Sequence, residues 1–277
     1  VIIEDNTNSD AVYAGITAAI NLENDNSVDV NIPSGWSGSA ASGSYSSTRI
    51  AAPFAILDDI YTSVAKFISA RPSISFPELK VNWSIDNIAS SGDKSEGNIV
   101  TSHWDGSELY ILGKADSDTD EYDTHVIVHE WGHYFESNLS RSDSIGGSHT
   151  GGDVLDPRVA FGEGWGNALS AMMLYPNVTY FDTYGTREQS GWGMNLESGS
   201  NSSNPGWFSE TSVQLILFDL FDSDSDANDT VSLGIGPIYD VMVGEQKTTS
   251  SFTTLFSFIS ALKTANSSSS TAIDTVV

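Results

Sequence analysis

Hydrophobic positions change their spacing several times along the chain, and each change marks an element. Residues 1–50 set short apolar runs, Val1-Ile2-Ile3 and Val28-Asp29-Val30, among turn formers such as Pro33-Ser34-Gly35, the pattern of strands and loops. Over 53–70 the spacing turns to threes and fours, with Phe54, Leu57, Ile60, Tyr61, Val64, Phe67 and Ile68 in one stripe that stops before Arg71-Pro72. That stripe predicts an amphipathic helix packed on a sheet. Residues 79–85 and 108–112 alternate as strands do, with a polar loop at 90–97 between them.

A second helix is predicted over 122–138. Asp118, Thr119, Asp120 and Glu121 precede it and are expected to cap it, and with Asp116 they place negative charge at its N-terminus. Val126, Ile127, Val128, Trp131, Tyr134 and Phe135 make it apolar on nearly every side, which predicts a central, buried helix. A Ser/Gly-rich loop follows at 140–152, then helices at 161–174, 209–221 and 252–264, and a serine run at 267–270 that reads as a frayed end. The expected class is α+β, as one two-lobed domain or two small ones. A mixed sheet and helix lobe over 1–138 ends in the buried helix, and a mainly helical lobe covers 139–277.

Composition narrows the function classes. The 277 residues carry 37 Asp+Glu against 11 Lys+Arg, a net charge of -26, which repels phosphate backbones and anionic membrane surfaces. Nucleic acid is therefore not an expected partner. No apolar run approaches the roughly 18 residues that span a bilayer, so membrane insertion is not expected either. With no cysteine, disulfides and thiolate ligands are absent, and any transition metal must use His, Asp or Glu. Charged residues are only 17% beside abundant Ser, Asn, Gly and Thr, a polar anionic surface expected of a secreted or cell-surface bacterial protein. The chain opens at Val1 without a charged-then-apolar leader, as expected of a trimmed or processed form.

The buried helix contains His129-Glu130-Trp131-Gly132-His133. Histidines four apart project from one helical face and can share one zinc ion, with a glutamate beside them. Such a pattern arises by chance in on the order of one sequence in a few hundred of this composition. Placement strengthens it, because imidazoles and a carboxylate taken into an apolar helix need a compensating partner. The plain alternative is a pair of hydrogen-bonded core histidines with a surface glutamate. A catalytic zinc takes three protein ligands and keeps one position open. The metzincin continuation is ruled out, since Glu136 and Leu139 stand where it needs Gly and His. Glu163, in Phe161-Gly162-Glu163-Gly164-Trp165-Gly166-Asn167, is the expected third ligand, with small neighbours that let two helices approach closely. The plain alternative there is a Gly/Trp packing motif with an incidental acid.

His-Glu-x-x-His followed by Gly-Glu-Gly-Trp resembles the gluzincin metallopeptidases over roughly residues 105–225, the fungalysin branch most and thermolysin more distantly. The resemblance implies a zincin-like two-lobed fold, zinc (Zn2+) held by His129, His133 and Glu163, and Glu130 as the base that takes a proton from the attacking water. It implies a zinc metalloendopeptidase acting on peptide or protein substrates. Two departures stand out. Asn167 occupies the place of an Asp that orients a ligand histidine, and a neutral amide makes that imidazole a weaker donor to the metal. The family also places a histidine downstream to steady the oxyanion, yet His103, His125, His129, His133 and His149 all precede Glu163. Pro205-Gly206-Trp207-Phe208-Ser209-Glu210 loosely resembles the segment around that histidine, without it. Tyr180, Tyr184, Tyr239 and Arg187 are the substitutes considered, none preferred. In the family an extended peptide lies along an edge strand, for which 108–112 is the expected counterpart.

A rival reading is a catalytically inactive, zinc-containing surface module that binds protein or glycan, favoured by the absent histidine and disfavoured by the intact Glu130. A zinc hydrolase of non-peptide bonds is a third. His125, one turn before His129, reads as a helix histidine satisfied in the core, with lining the cleft as the alternative. Asp222, Asp224, Asp226, Asn228 and Asp229 alternate like Ca2+ ligands, but Leu233 stands where a calcium loop needs its bidentate Glu, so a solvated acidic turn is preferred.

Overall fold

The computed structural model describes residues 1–15, 30–198, 204–223 and 230–277. In chain order its strands are β1 (Ile2–Asp5), β2 (Ala11–Val12), β3 (Trp36–Ser37), β4 (Ser44–Tyr45), β5 (Lys80–Trp83), β6 (His103–Trp104), β7 (Leu109–Ile111), β8 (Gly113–Lys114), β9 (Asp118–Thr119), β10 (Thr179–Tyr184) and β11 (Ser190–Asn195). The helices are α1 (Ala51–Ala70), α2 (Thr124–Asn138), α3 (Pro157–Leu174), α4 (Glu210–Asp219), α5 (Ile235–Val243), α6 (Glu245–Thr248), α7 (Leu255–Ala265) and α8 (Ser270–Val276). The result is α+β, a mixed sheet and helix region followed by a largely helical one.

One sheet has the order β2-β1-β5-β7-β6, in which β1, β5 and β7 run parallel and β2 and β6 close the edges antiparallel. Ile3, Val81, Trp83, Leu109 and Ile111 are buried along its three central strands. Helix α1 connects β1 to β5, the crossover that parallel neighbours require. Its inner face is Ala52, Ile56, Ile60, Ser63 and Phe67, while Leu57, Tyr61 and Ile68 of the expected stripe stay exposed. Helix α2 packs between β6 and β7 on one side and α3 on another. Ten of its fifteen residues are buried, as its all-round apolarity predicts. Phe135 joins the two halves of the chain, stacking on Phe67 of α1 at 5.0 Å and packing on Trp165 of α3 at 5.5 Å.

The helix starts are set locally. Asp156 accepts the backbone N–H of Arg158 and Pro157 takes the first turn of α3, while Ser209 caps α4 and Thr254 with Ser257 forms a capping box on α7. At α2 the expectation fails. Asp118 and Thr119 lie in strand β9, and Glu121 is fully buried against Arg49. Asp123, the residue before the helix, accepts the Thr183 backbone N–H and hydroxyl instead of capping. Residues between α3 and α4 supply the strands of the otherwise largely helical half. There β10 and β11 form a hairpin that extends β8 and β9 into a second antiparallel sheet, order β11-β10-β9-β8. The serine run at 267–270 leads into α8, whose Ile273 is fully buried, so the end is docked by an apolar side chain. Among the described residues no helix is long and apolar enough to cross a membrane.

Candidate metal centre

His129 and His133 stand one turn apart on α2 and face Glu163 on α3. The helices come this close because glycine meets glycine: a Cβ on Gly132 would lie 3.2 Å from the Gly166 Cα, and a Cβ on Gly166 would lie 2.9 Å from His129 Cε1 and Nδ1. His129 Nε2 and His133 Nε2 are 3.1 Å apart. Glu163 Oε2 is 3.3 Å from the first and 3.4 Å from the second. Tetrahedral zinc with bonds of about 2.0–2.1 Å sets its donor atoms about 3.3 Å apart, so all three edges of the triangle match. The donor set fits the metal in chemistry and in spacing.

Glu130 stands back from that triangle. Its Oε1 is 4.0 Å from His129 Nε2, and its Oε2 accepts the backbone N–H of Trp104 at 2.9 Å. The donor atoms of His129, Glu130 and His133 all lie within 4.8 Å of one another, a His-Glu-x-x-His metal-binding cluster. Behind it runs a hydrogen-bonded chain. His129 Nδ1 donates to Asn167 Oδ1 at 2.7 Å, Asn167 Nδ2 donates to Gln214 Oε1 at 2.7 Å, and Gln214 Nε2 reaches Met194 Sδ at 3.3 Å. With the Nδ1 proton committed to Asn167, the Nε2 lone pair of His129 points at the centre.

Burial would depress the His133 imidazole, but Glu163, with Glu130 and Glu136, outweighs it and pushes the pKa up to about 10. Burial would likewise raise the Glu163 carboxyl, yet His133 and His129 hold it well below the usual carboxylate range. The two are thus an ion pair without metal. Glu136, fully enclosed beneath the site, is driven up to about 7 by burial against the opposing pull of His133.

His149 is the residue that sequence reasoning missed. From the 140–152 loop its Nε2 comes 3.3 Å from Glu163 Oε2, while Nδ1 is 2.6 Å from Glu210 Oε2 at the start of α4. The hydrogen bond to Glu210 raises its pKa against burial. Thr211 ties the same loop down by donating its hydroxyl to the Gly151 carbonyl at 2.8 Å. Chain order excluded His149 as a downstream histidine, whereas space puts it on the Pro205 to Glu210 segment that lacks one. The nearest sequence signal was Glu210 itself, closing that segment.

The other expectations separate. Tyr180 is buried with its ring edge-on to His129 at 6.2 Å and stacked on Trp192 at 5.1 Å. Tyr184 and Arg187 sit at the turn end of the β10–β11 hairpin, and Tyr239 packs on Phe67 in the core. His125 is fully buried, donates Nε2–H to the Asn177 carbonyl, and is depressed to about 4 by burial, so it is a neutral core histidine and lines no cleft. The edge-strand expectation is corrected: β7, within 108–112, lies between β5 and β6, and the edge beside the site is β6. A two-residue strand has no periodicity to read, and alternation cannot tell an inner strand from an edge. Of the candidate Ca2+ run that begins at Asp222, Asp222 itself is buried just after α4, and 224–229 lie outside the described residues.

No protein-family profile and no curated protein matches the chain. Among solved structures it is similar to the precursor of protealysin, a metalloproteinase from Serratia proteamaculans, at 12% identity and a TM-score of 0.42, covering 83% of this chain and 77% of that one. A likeness at that level fixes neither family nor function.

Proposed function

We propose that the chain is a zinc metalloendopeptidase of gluzincin type, nearest the fungalysin branch, secreted or held at a cell surface, with His129, His133 and Glu163 as zinc ligands. The observation that carries this is the triangle of donor atoms at 3.1, 3.3 and 3.4 Å with the Glu130 carboxylate set 4.0 Å back. Bound there, zinc supplies a Lewis acid that polarises the scissile carbonyl and makes the attacking water more acidic.

The protein's own groups do the rest. Glu130, aimed by the Trp104 N–H, accepts the proton of the attacking water and delivers it to the departing amine. Asn167 holds the His129 ring in place and fixes its tautomer. His149, braced by Glu210, donates its Nε2–H to the carbonyl oxygen as negative charge gathers there. The role left open by the absence of a downstream histidine thus has a candidate, which weakens the case for an inactive module. An extended peptide would enter along β6, between the 1–138 and 139–277 halves. The overall charge of -26 disfavours acidic peptides.

Metal content and cleavage of an unfolded protein substrate test this together. Glu130→Gln should keep about one zinc per chain and lose at least about a hundredfold in turnover. Glu163→Ala should lose the zinc. Zinc retained undiminished in Glu163→Ala, or turnover retained in Glu130→Gln, overturns the assignment. Partner binding by a wild type that cleaves nothing would support the inactive module instead.

A further inference from the structure

The Ser/Gly-rich loop at 140–152 is pinned at both ends and open in its middle. At one end Arg141 donates to the Thr249 and Ser251 carbonyls, and Asp143 accepts the backbone N–H of Thr253 while giving its own to the Thr253 hydroxyl. At the other, the Thr150 N–H donates to Asp153 and Thr211 holds the Gly151 carbonyl. Residues 144–148 between them are exposed. Gly146 and Gly147 take φ of 63° and 119°, with open space where a side chain would stand. His149 is where this span turns inward to the zinc site.

Its position is that of a metal donor. Nε2 is 3.3 Å from Glu163 Oε2, the same spacing as the 3.1, 3.3 and 3.4 Å edges of the triangle of His129, His133 and Glu163, and the charge of His133 acts on the same ring. Tetrahedral zinc places all four of its donors about 3.3 Å apart. On the far side of the ring, Nδ1 is 2.6 Å from Glu210 Oε2. A carboxylate behind a histidine takes the Nδ1 proton, turns the Nε2 lone pair toward the metal and makes it a stronger donor. His129 is backed only by the Asn167 amide, the weaker support of the two.

We propose that His149 is a fourth ligand that closes the zinc centre at rest, and that the 140–152 loop opens the centre by withdrawing it. This role presupposes the zinc reading and adds regulation to it. Four protein donors leave no position for water, as in structural zinc sites, whereas catalysis needs one position open. The glycines at 146 and 147 let the middle of the loop lift while Arg141 and Thr211 keep its ends in place. What displaces the ring is the substrate, whose scissile carbonyl oxygen needs the same place. Once released, Nε2 takes up a proton from solvent and donates it to that oxygen, so closure of the site and support of the oxyanion are two states of one side chain.

The test uses the full chain loaded with one equivalent of zinc. X-ray absorption at the zinc edge counts the bound imidazoles: three are expected in the wild type and two in His149→Phe. Acetohydroxamate, which needs an open position, should bring the wild type to two and leave the variant at two. Competition against a chromophoric chelator should show His149→Phe holding its one zinc at least about tenfold more weakly. His149→Ala should read the same way, and serves should phenylalanine crowd the cleft. Two imidazoles in both wild type and variant, or equal zinc affinities, would overturn the fourth ligand and leave the zinc reading intact. Three imidazoles retained with the hydroxamate bound would overturn the withdrawal. A wild type that takes up no zinc would overturn the zinc reading itself, and this role with it.

Discussion

Replacing Gly166 by alanine probes how α3 positions the candidate metal centre, because the added methyl would meet the His129 ring and not solvent. Its Cβ would lie 2.9 Å from His129 Cε1 and Nδ1 and 3.0 Å from Cγ, where carbon contacts settle at about 3.5 Å or more. Something must retreat by about 0.5 Å. Helix α3 has little room to do so, since a Cβ on Gly164 would already come 2.6 Å from Val213 of α4. The His129 ring must move instead, stretching its 2.7 Å bond to Asn167 and its spacing to His133 and Glu163. A shift of about 0.5 Å is the tolerance of a functional constellation.

Two costs follow, and they are separable. Overpacking costs about 1–3 kcal/mol, offset by the ~1 kcal/mol that alanine gains over glycine in a helix, so the metal-free fold should weaken by at most about 2 kcal/mol. Zinc affinity should fall about 10- to 100-fold, the usual result of disturbing a ligand's support. Gly162→Ala is the control. Its Cβ faces Glu136 Oε2 at 3.3 Å and no ligand, so it should bind zinc within twofold of wild type. Competition against a chromophoric chelator reads the affinity, and urea unfolding of the metal-free proteins reads the stability. Gly166→Ala that folds and binds zinc as tightly as Gly162→Ala would refute the wedging of His129 between α2 and α3, and with it the case for His129 as a ligand.

Asn167→Ala should lower zinc affinity about 10- to 100-fold by freeing the His129 ring, while Asn167→Asp should restore or exceed the wild type once Gln214 turns its amide; equal affinities in all three would remove Asn167 from the site. His149→Phe should keep its zinc and lose about 10²–10³ in turnover, with KM changing much less; wild-type turnover would dismiss it as the oxyanion donor. Asp59, with a buried unpartnered oxygen, is pushed up to about 7 by burial and by Asp58. The folded state takes up that proton as pH falls through 7 while the unfolded chain waits until about pH 4, so wild-type stability rises over this window. Asp59→Asn should therefore stabilise by about 2–4 kcal/mol at pH 8 and by little at pH 4.5; a gain that is the same at both would exclude the mechanism.

What could be read from the sequence was what is local to one helix. His129 and His133 are joined by helical periodicity alone, and Glu163 announced itself through the glycines that let α3 approach, each now matched to a neighbour within about 3.3 Å of its missing Cβ. The contact of His149 with Glu210 bridges 61 residues and leaves no trace in spacing or pattern. Nor does β6, two residues long yet supplying the N–H that aims Glu130. The acids before α2 show why such features escape. Local rules assign Asp118, Asp120 and Glu121 to the helix N-terminus, where a charge or a cap contributes about 0.5–2 kcal/mol. A buried carboxylate left without a partner costs more, about 3–5 kcal/mol. Once the chain folds, avoiding that greater cost decides where each acid goes: Glu121 to Arg49, Asp123 to Thr183 and Asp120 to Ser102. Where carboxylates outnumber cations as heavily as here, long-range partners override the local preference of an acidic residue.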